Sequence, residues 1–161
     1  MNVPEKVELD RIALWGSQPQ NLERARKITL AFDYDYLFIV ESDMIVPPHS
    51  LNGLLEADAD VAVGLYRIRK TEHFCHVING RFIVLEKDFT HNQTMLPVDR
   101  LGLGCVLLTR KVVEAVPFPL KAEGIDIEYS DRVKNAGFKV VCNCQVRCGH
   151  IDRDGSVYGA L

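Results

Sequence analysis

Tyr36-Leu37-Phe38-Ile39-Val40-Glu41-Ser42-Asp43 is the stretch on which the reading of this chain turns. Five consecutive apolar residues, rich in aromatic and β-branched types, are too few for a helix and suit a strand buried on both faces. The strand runs straight into two acids, and an unpaired buried carboxylate is costly. Residues two apart on extended chain point the same way, which predicts that Glu41 and Asp43 reach one divalent cation or one ribose. Hard oxygen donors favour Mg2+ or Mn2+, which bridge the two phosphates of a nucleotide. The competing reading is a strand that ends at a solvated acidic turn.

The flanks of this stretch alternate helices and strands. Upstream, Leu22, Ala25, Ile28, Thr29 and Phe32 fall at helical spacing over residues 21–32, with Asn21 placed to cap. Ile12 to Trp15 reads as a short strand. Downstream, Pro47 and Pro48 interrupt any ladder and lead into a helix over about residues 51–57. Asp60 to Tyr66 is a second buried strand, which predicts a parallel pair joined by a right-handed crossover. Phe74–Val77 and Arg81–Leu85, separated by Asn79-Gly80, predict a hairpin. Residues 86–97 read as a loop, Leu103 to Leu108 as a strand and 110–115 as a short helix. Ile125, Tyr129, Val133 and Ala136 keep a helical stripe that Gly137 closes. Phe138 to Val141 is the last strand, and residues 145–161 read as polar and irregular. The alternation predicts one α/β domain over residues 1–161 with a mostly parallel sheet flanked by helices. Ligands of such sheets sit beyond the carboxyl ends of strands, where Asp43 lies.

Three further segments carry candidate chemistry. Asp126, near a helix start, is either a carboxylate stabilised by the helix N-terminus or a general base, with Glu123 and Glu128 as nearby competitors. His150 follows a strand in a glycine-containing loop, and imidazole is a common metal ligand. Gly102-Leu103-Gly104-Cys105 permits close approach of backbone to a ligand, or is a plain turn.

In chain order these pieces resemble the GT-A-fold glycosyltransferases, above all family-2-type bacterial, archaeal and phage-like enzymes. YDYLFIVESDMIVPP resembles the segment in which a strand delivers the DXD motif. LGLGCVLLTRKVVEAV resembles the small-residue acceptor segment, GIDIEYSDRVKNAGFKVV the segment of the acidic base, and RCGHI the late histidine segment. The resemblance covers about residues 21–151. It implies that Glu41 and Asp43 hold metal and nucleotide sugar, that His150 is a further metal ligand, and that Asp126 is the base of an inverting mechanism. It also implies that Arg26 faces the nucleotide and that Gly102 and Gly104 lie beside the acceptor. The implied partners are a nucleotide-sugar donor and a hydroxyl acceptor on a glycan, lipid or protein, with Mn2+ or Mg2+ as cofactor. Glu41 replaces the usual first Asp, and Ile125 replaces one acid of the usual Glu-Asp pair. Residues 1–20 hold no copy of the strand and Gly/Pro-rich turn that bind the nucleobase, so the domain reads as N-terminally short. A second copy is one way to cover the sheet edge so exposed.

Composition bounds these readings. The 161 residues suffice for one disulfide-free core. A net charge of −3 without a basic run leaves no footprint for nucleic acid. No apolar stretch approaches the roughly 20 residues of a membrane span, and MNVPEKVELD is too polar for a signal peptide; the expected location is the cytoplasm. Two other function classes stand beside the transferase. One is a domain that binds nucleotide or glycan without turnover. The other is a zinc module of Cys142, Cys144, Cys148 and His150, whose C-x-C-x3-C spacing lacks paired knuckles.

Overall fold

The computed structural model describes residues 8–82, 94–121 and 123–159. In chain order the elements are α1 (Gln18–Ala31), β1 (Tyr36–Val40), β2 (Met44–Ile45), α2 (Ser50–Leu55), β3 (Val61–Leu65), β4 (Val77–Ile78) and β5 (Arg81–Phe82). They continue with β6 (Met95–Pro97), β7 (Cys105–Thr109), α3 (Arg110–Ala115), α4 (Ile125–Asn135), β8 (Val140–Arg147), β9 (Gly149–Ile151) and β10 (Val157–Gly159).

Several elements follow from local chemistry. Asn79 and Gly80 both take positive φ, 50° and 77°, as a two-residue hairpin turn of this hand requires. They close the ladder Val77↔Phe82 and Ile78↔Arg81; residues 83–85 of the expected hairpin lie outside the described residues. Helix α4 ends in a Schellman motif. Gly137, at φ 79°, donates to Lys134 O at 2.9 Å, and Phe138 donates to Val133 O at 3.3 Å. At the start of α1 the N-cap is Ser17, and Pro19 sits in the first turn, where its missing N–H costs nothing. Asn21 is therefore inside the helix and does not cap it; its amide donates to Leu14 O and Gly16 O at 3.3 and 3.2 Å. Residues 12–15 form no strand, and Trp15 is 90% exposed.

The main sheet has the order β1-β7-β3-β8-β6. Only β3 and β8 pair in parallel; the β1–β7, β3–β7 and β6–β8 ladders are antiparallel. The expected mostly parallel sheet is thus a mixed one, and β1 and β3 are not neighbours. They point the same way, but β7 returns between them. A continuous apolar run reports burial on both faces, not strand direction, and β7 is buried like β3 except at its last residue. Strand β1 is itself an edge strand, half-buried with Val40 exposed, instead of central.

Alternate residues feed two cores. Leu37, Ile39, Val61, Val63, Val106 and Leu108 pack with α1, α3 and α4, where Tyr129 stacks on Phe118 at 4.4 Å. Ala62, Cys105, Leu107 and Val141 pack with Leu54 and Leu55 of α2. The tail is more ordered than its polarity suggests: β8 continues to Arg147, and β9 lies between β10 and β2 in a three-stranded sheet. That sheet sets His150 opposite Met44. Among the described residues no helix is long and apolar enough to cross a membrane.

Candidate functional site

Strand β1 ends at Val40, and the chain turns at once: Met44 N–H donates to Glu41 O at 3.1 Å. Because 41–44 is a tight turn and not extended backbone, Glu41 and Asp43 take different bonded partners. Glu41 receives a hydrogen bond from the Gln18 amide at the start of α1. Burial pushes its carboxyl up to about 7, assisted by the nearby charges of Asp126 and Asp43 and opposed by Gln18 and Arg69. Asp126, in the first turn of α4, is also raised by burial, against a backbone hydrogen bond from Leu103.

Asp43 has other bonded partners. Its Oδ2 is ion-paired with the Arg69 guanidinium and lies 3.6 Å from His150 Nε2, while its Oδ1 is buried without a hydrogen-bond partner. The main chain of Asp43 is fixed by β9, since Ile151 N–H donates to its carbonyl at 2.8 Å. His150 Nδ1 donates to Arg67 O at 2.8 Å. This bond sets the tautomer, and a neutral ring then turns an Nε2 lone pair toward Asp43. Two acceptors facing each other across 3.6 Å, beside an orphaned carboxylate oxygen, fit a divalent cation held by Asp43 and His150. Glu41 does not join them: among the described residues no three His, Cys, Asp or Glu side chains form a metal-holding group.

The glycines of 101–104 lie between the two acids. Gly104 O accepts the Glu41 N–H at 3.0 Å. Ser130 of α4 accepts the Leu101 N–H at 3.0 Å, and its hydroxyl lies 2.6 Å from Asp126 O. This segment therefore couples the end of β1 to the start of α4. Its small residues first of all make room for Tyr66. A Cβ at position 104 would lie 2.8 Å from Tyr66 Cζ, and one at 102 would overlap the Tyr66 hydroxyl. That hydroxyl accepts the Gly104 N–H at 2.9 Å. The Tyr66 ring stands edge-on between His76 and His150, with centroids 5.5 and 5.6 Å away.

Arg26 is not part of this cluster. Its Nε and Nη2 donate to Val113 O and Glu114 O at 2.7 and 3.1 Å, and Nη1 pairs with Glu23 at 3.1 Å. It ties α1 to the last turn of α3, so its donors do not face the Asp43 and His150 end of the sheet. The zinc module does not assemble either. Cys142 and Cys144 pack with the core under α1, α3 and α4, and Cys148 with the core under α2.

Arg69, Gln18, Tyr66 and His76 escaped the sequence reading. The one signal among them was the cationic run Arg67-Ile68-Arg69-Lys70 directly after β3. Tyr66 and His76 carry no motif, and Gln18 meets Glu41 only through the packing of α1.

By sequence the chain matches no family model and no curated protein. Among solved structures it is similar to the crystal structure of A197 from STIV, with a TM-score of 0.63 and 17% identity, over 89% of this chain and 76% of that one. At that identity the likeness establishes a shared fold alone.

Proposed function

We propose that the protein is a metal-dependent glycosyltransferase that moves a sugar from a nucleotide-sugar donor to a hydroxyl acceptor with inversion. The observation that carries this reading is the gathering of Glu41, Asp43, Asp126 and His150, from three distant parts of the sequence, around the ends of β1 and β9 and the Gly102–Gly104 segment. The sequence resemblance given above supports it.

Asp43 and His150 would hold Mn2+ or Mg2+. When bound, the cation neutralises charge that develops on the diphosphate leaving group. Glu41, oriented by Gln18, faces the donor side of the site. Asp126 takes the proton of the acceptor hydroxyl; the Leu103 N–H orients its carboxylate, and burial raises its basicity. Gly102 and Gly104 pack against Tyr66, and their segment ties the Glu41 end of β1 to Asp126. Ile125 is 4% exposed and anchors α4 in the core, and Glu128, the other acid of the first turn, is paired with Arg132 at 2.6 Å, so the base role falls to Asp126.

The test is calorimetric binding of a panel of UDP- and GDP-sugars with Mn2+, followed by an acceptor screen. Asp43→Ala is expected to abolish metal-dependent binding. Asp126→Asn is expected to keep binding and lower transfer by about 10²- to 10⁴-fold. Binding without transfer to any acceptor would favour the domain that binds without turnover. A folded protein that binds no member of the panel overturns the proposal.

A further inference from the structure

Arg69 lies four residues beyond β3, on a turn in which Lys70 takes a φ of 60°. Its Nε donates to Ile151 O at 2.8 Å, next to His150 in the chain. Its Nη2 is paired with Asp43 Oδ2, the oxygen that also faces His150. A cation shared by Asp43 and His150 must therefore compete with the guanidinium. The two side chains of the pair are 36% and 37% exposed, so water screens part, but not all, of the repulsion between a metal ion and the guanidinium. The anchor on Ile151 leaves the Nη end free to quit Asp43 without taking Arg69 out of the site. Of the neighbouring cations, Lys70 pairs with Asp152 at 3.2 Å, and Arg67 lies over the Phe74 ring at 5.6 Å with its Nε buried and unpartnered. A guanidinium released beside a metal needs an anion, and its planar fork matches phosphate oxygens.

We propose that Arg69 is the resident counter-ion of Asp43, that a divalent cation displaces it, and that the freed guanidinium then clamps the diphosphate of the donor. This rests on the reading of Asp43 and His150 as the metal site of a nucleotide-sugar enzyme. Metal alone then binds weakly, because it strands Arg69 without an anion. Metal arriving with a diphosphate binds tightly, because each ligand completes the other's site. Linkage makes the effect reciprocal.

The test is Mn2+ binding to the full chain, followed by the electron paramagnetic resonance of free Mn2+, with and without inorganic pyrophosphate and corrected for their complex in buffer. Arg69→Gln is expected to bind Mn2+ alone more tightly, and to lose the tightening that pyrophosphate confers on the wild type, each by about 5-fold or more. Unchanged or weaker binding of Mn2+ alone by Arg69→Gln overturns the proposal. Arg69→Met, which keeps the aliphatic stem, replaces it if Arg69→Gln does not fold. Asp43→Ala separates the two levels of inference. If it abolishes Mn2+ binding while the Arg69 variants bind like wild type, only the counter-ion role falls. If it changes nothing, the metal site falls and the counter-ion role with it.

Discussion

Replacing His76 with glutamine should remove a distinct part of the protein's acid sensitivity. His76 is fully buried. Its Nε2 donates to Gly64 O at 2.7 Å, and its Nδ1 accepts the Gly102 N–H at 3.2 Å. Both ring nitrogens are thus used by the neutral tautomer, and burial lowers the imidazole from 6.5 to about 4. A depressed folded-state value means that the unfolded chain binds the proton first as pH falls. Stability from this group is complete above about pH 6.5 and is lost as pH drops through about 4. Between about pH 7.5 and pH 4.5 the loss comes to about 2–3 kcal/mol. Glutamine does not titrate and carries the same donor and acceptor types. Urea unfolding curves of wild type and His76→Gln across this range should therefore converge as pH falls, the variant losing about 2–3 kcal/mol less than wild type. Other groups titrate equally in both proteins, so only the difference matters. Parallel pH profiles would refute the reasoning, for they would mean that His76 is protonated alike in folded and unfolded chains.

Further outcomes follow from the packing around the site. Gly102→Ala should destabilise by about 1–3 kcal/mol, because the new methyl group overlaps the Tyr66 hydroxyl. In a double-mutant cycle, Tyr66→Phe should recover part of that loss, and strict additivity in thermal melts would contradict the overlap. Arg26→Ala should cost about 1–3 kcal/mol through its bonds to Val113 O and Glu114 O. Its Mn2+ affinity should equal that of the wild type, and a selective loss of nucleotide binding at unchanged stability would restore Arg26 to the site. Asn143→Ala should cost about 1–3 kcal/mol in denaturant titrations, since it orphans Gly53 O, which accepts from the buried Asn143 amide at 2.8 Å.

The sequence by itself determined what depends on neighbours in the chain. Val61–Leu65 and Cys105–Thr109 are strands because their apolar runs are short and β-branched. Asn79-Gly80 makes the hairpin turn because both residues tolerate positive φ, and Gly137 ends α4 for the same reason. Glu41, Asp43 and Asp126 were visible as acids at element ends, where a carboxylate without purpose is costly. Tertiary structure alone decided what depends on partners far away. Apolar runs are blind to direction, so nothing local shows that β7 separates β1 from β3 or that β1 lies at the sheet edge. The spacing of Glu41 and Asp43 suggested a shared ligand, but the turn at Ser42 sends them to different neighbours, Gln18 and Arg69. His150 reaches Asp43 only because β9 pairs with β2 across about a hundred residues of chain. The glycines at 102 and 104 read as an opening for a ligand, and the fold fills that space with Tyr66. Local chemistry thus chose the elements and their ends. The pairing of distant strands chose which charges meet, because charge contacts are set by distance in space and not by separation along the chain.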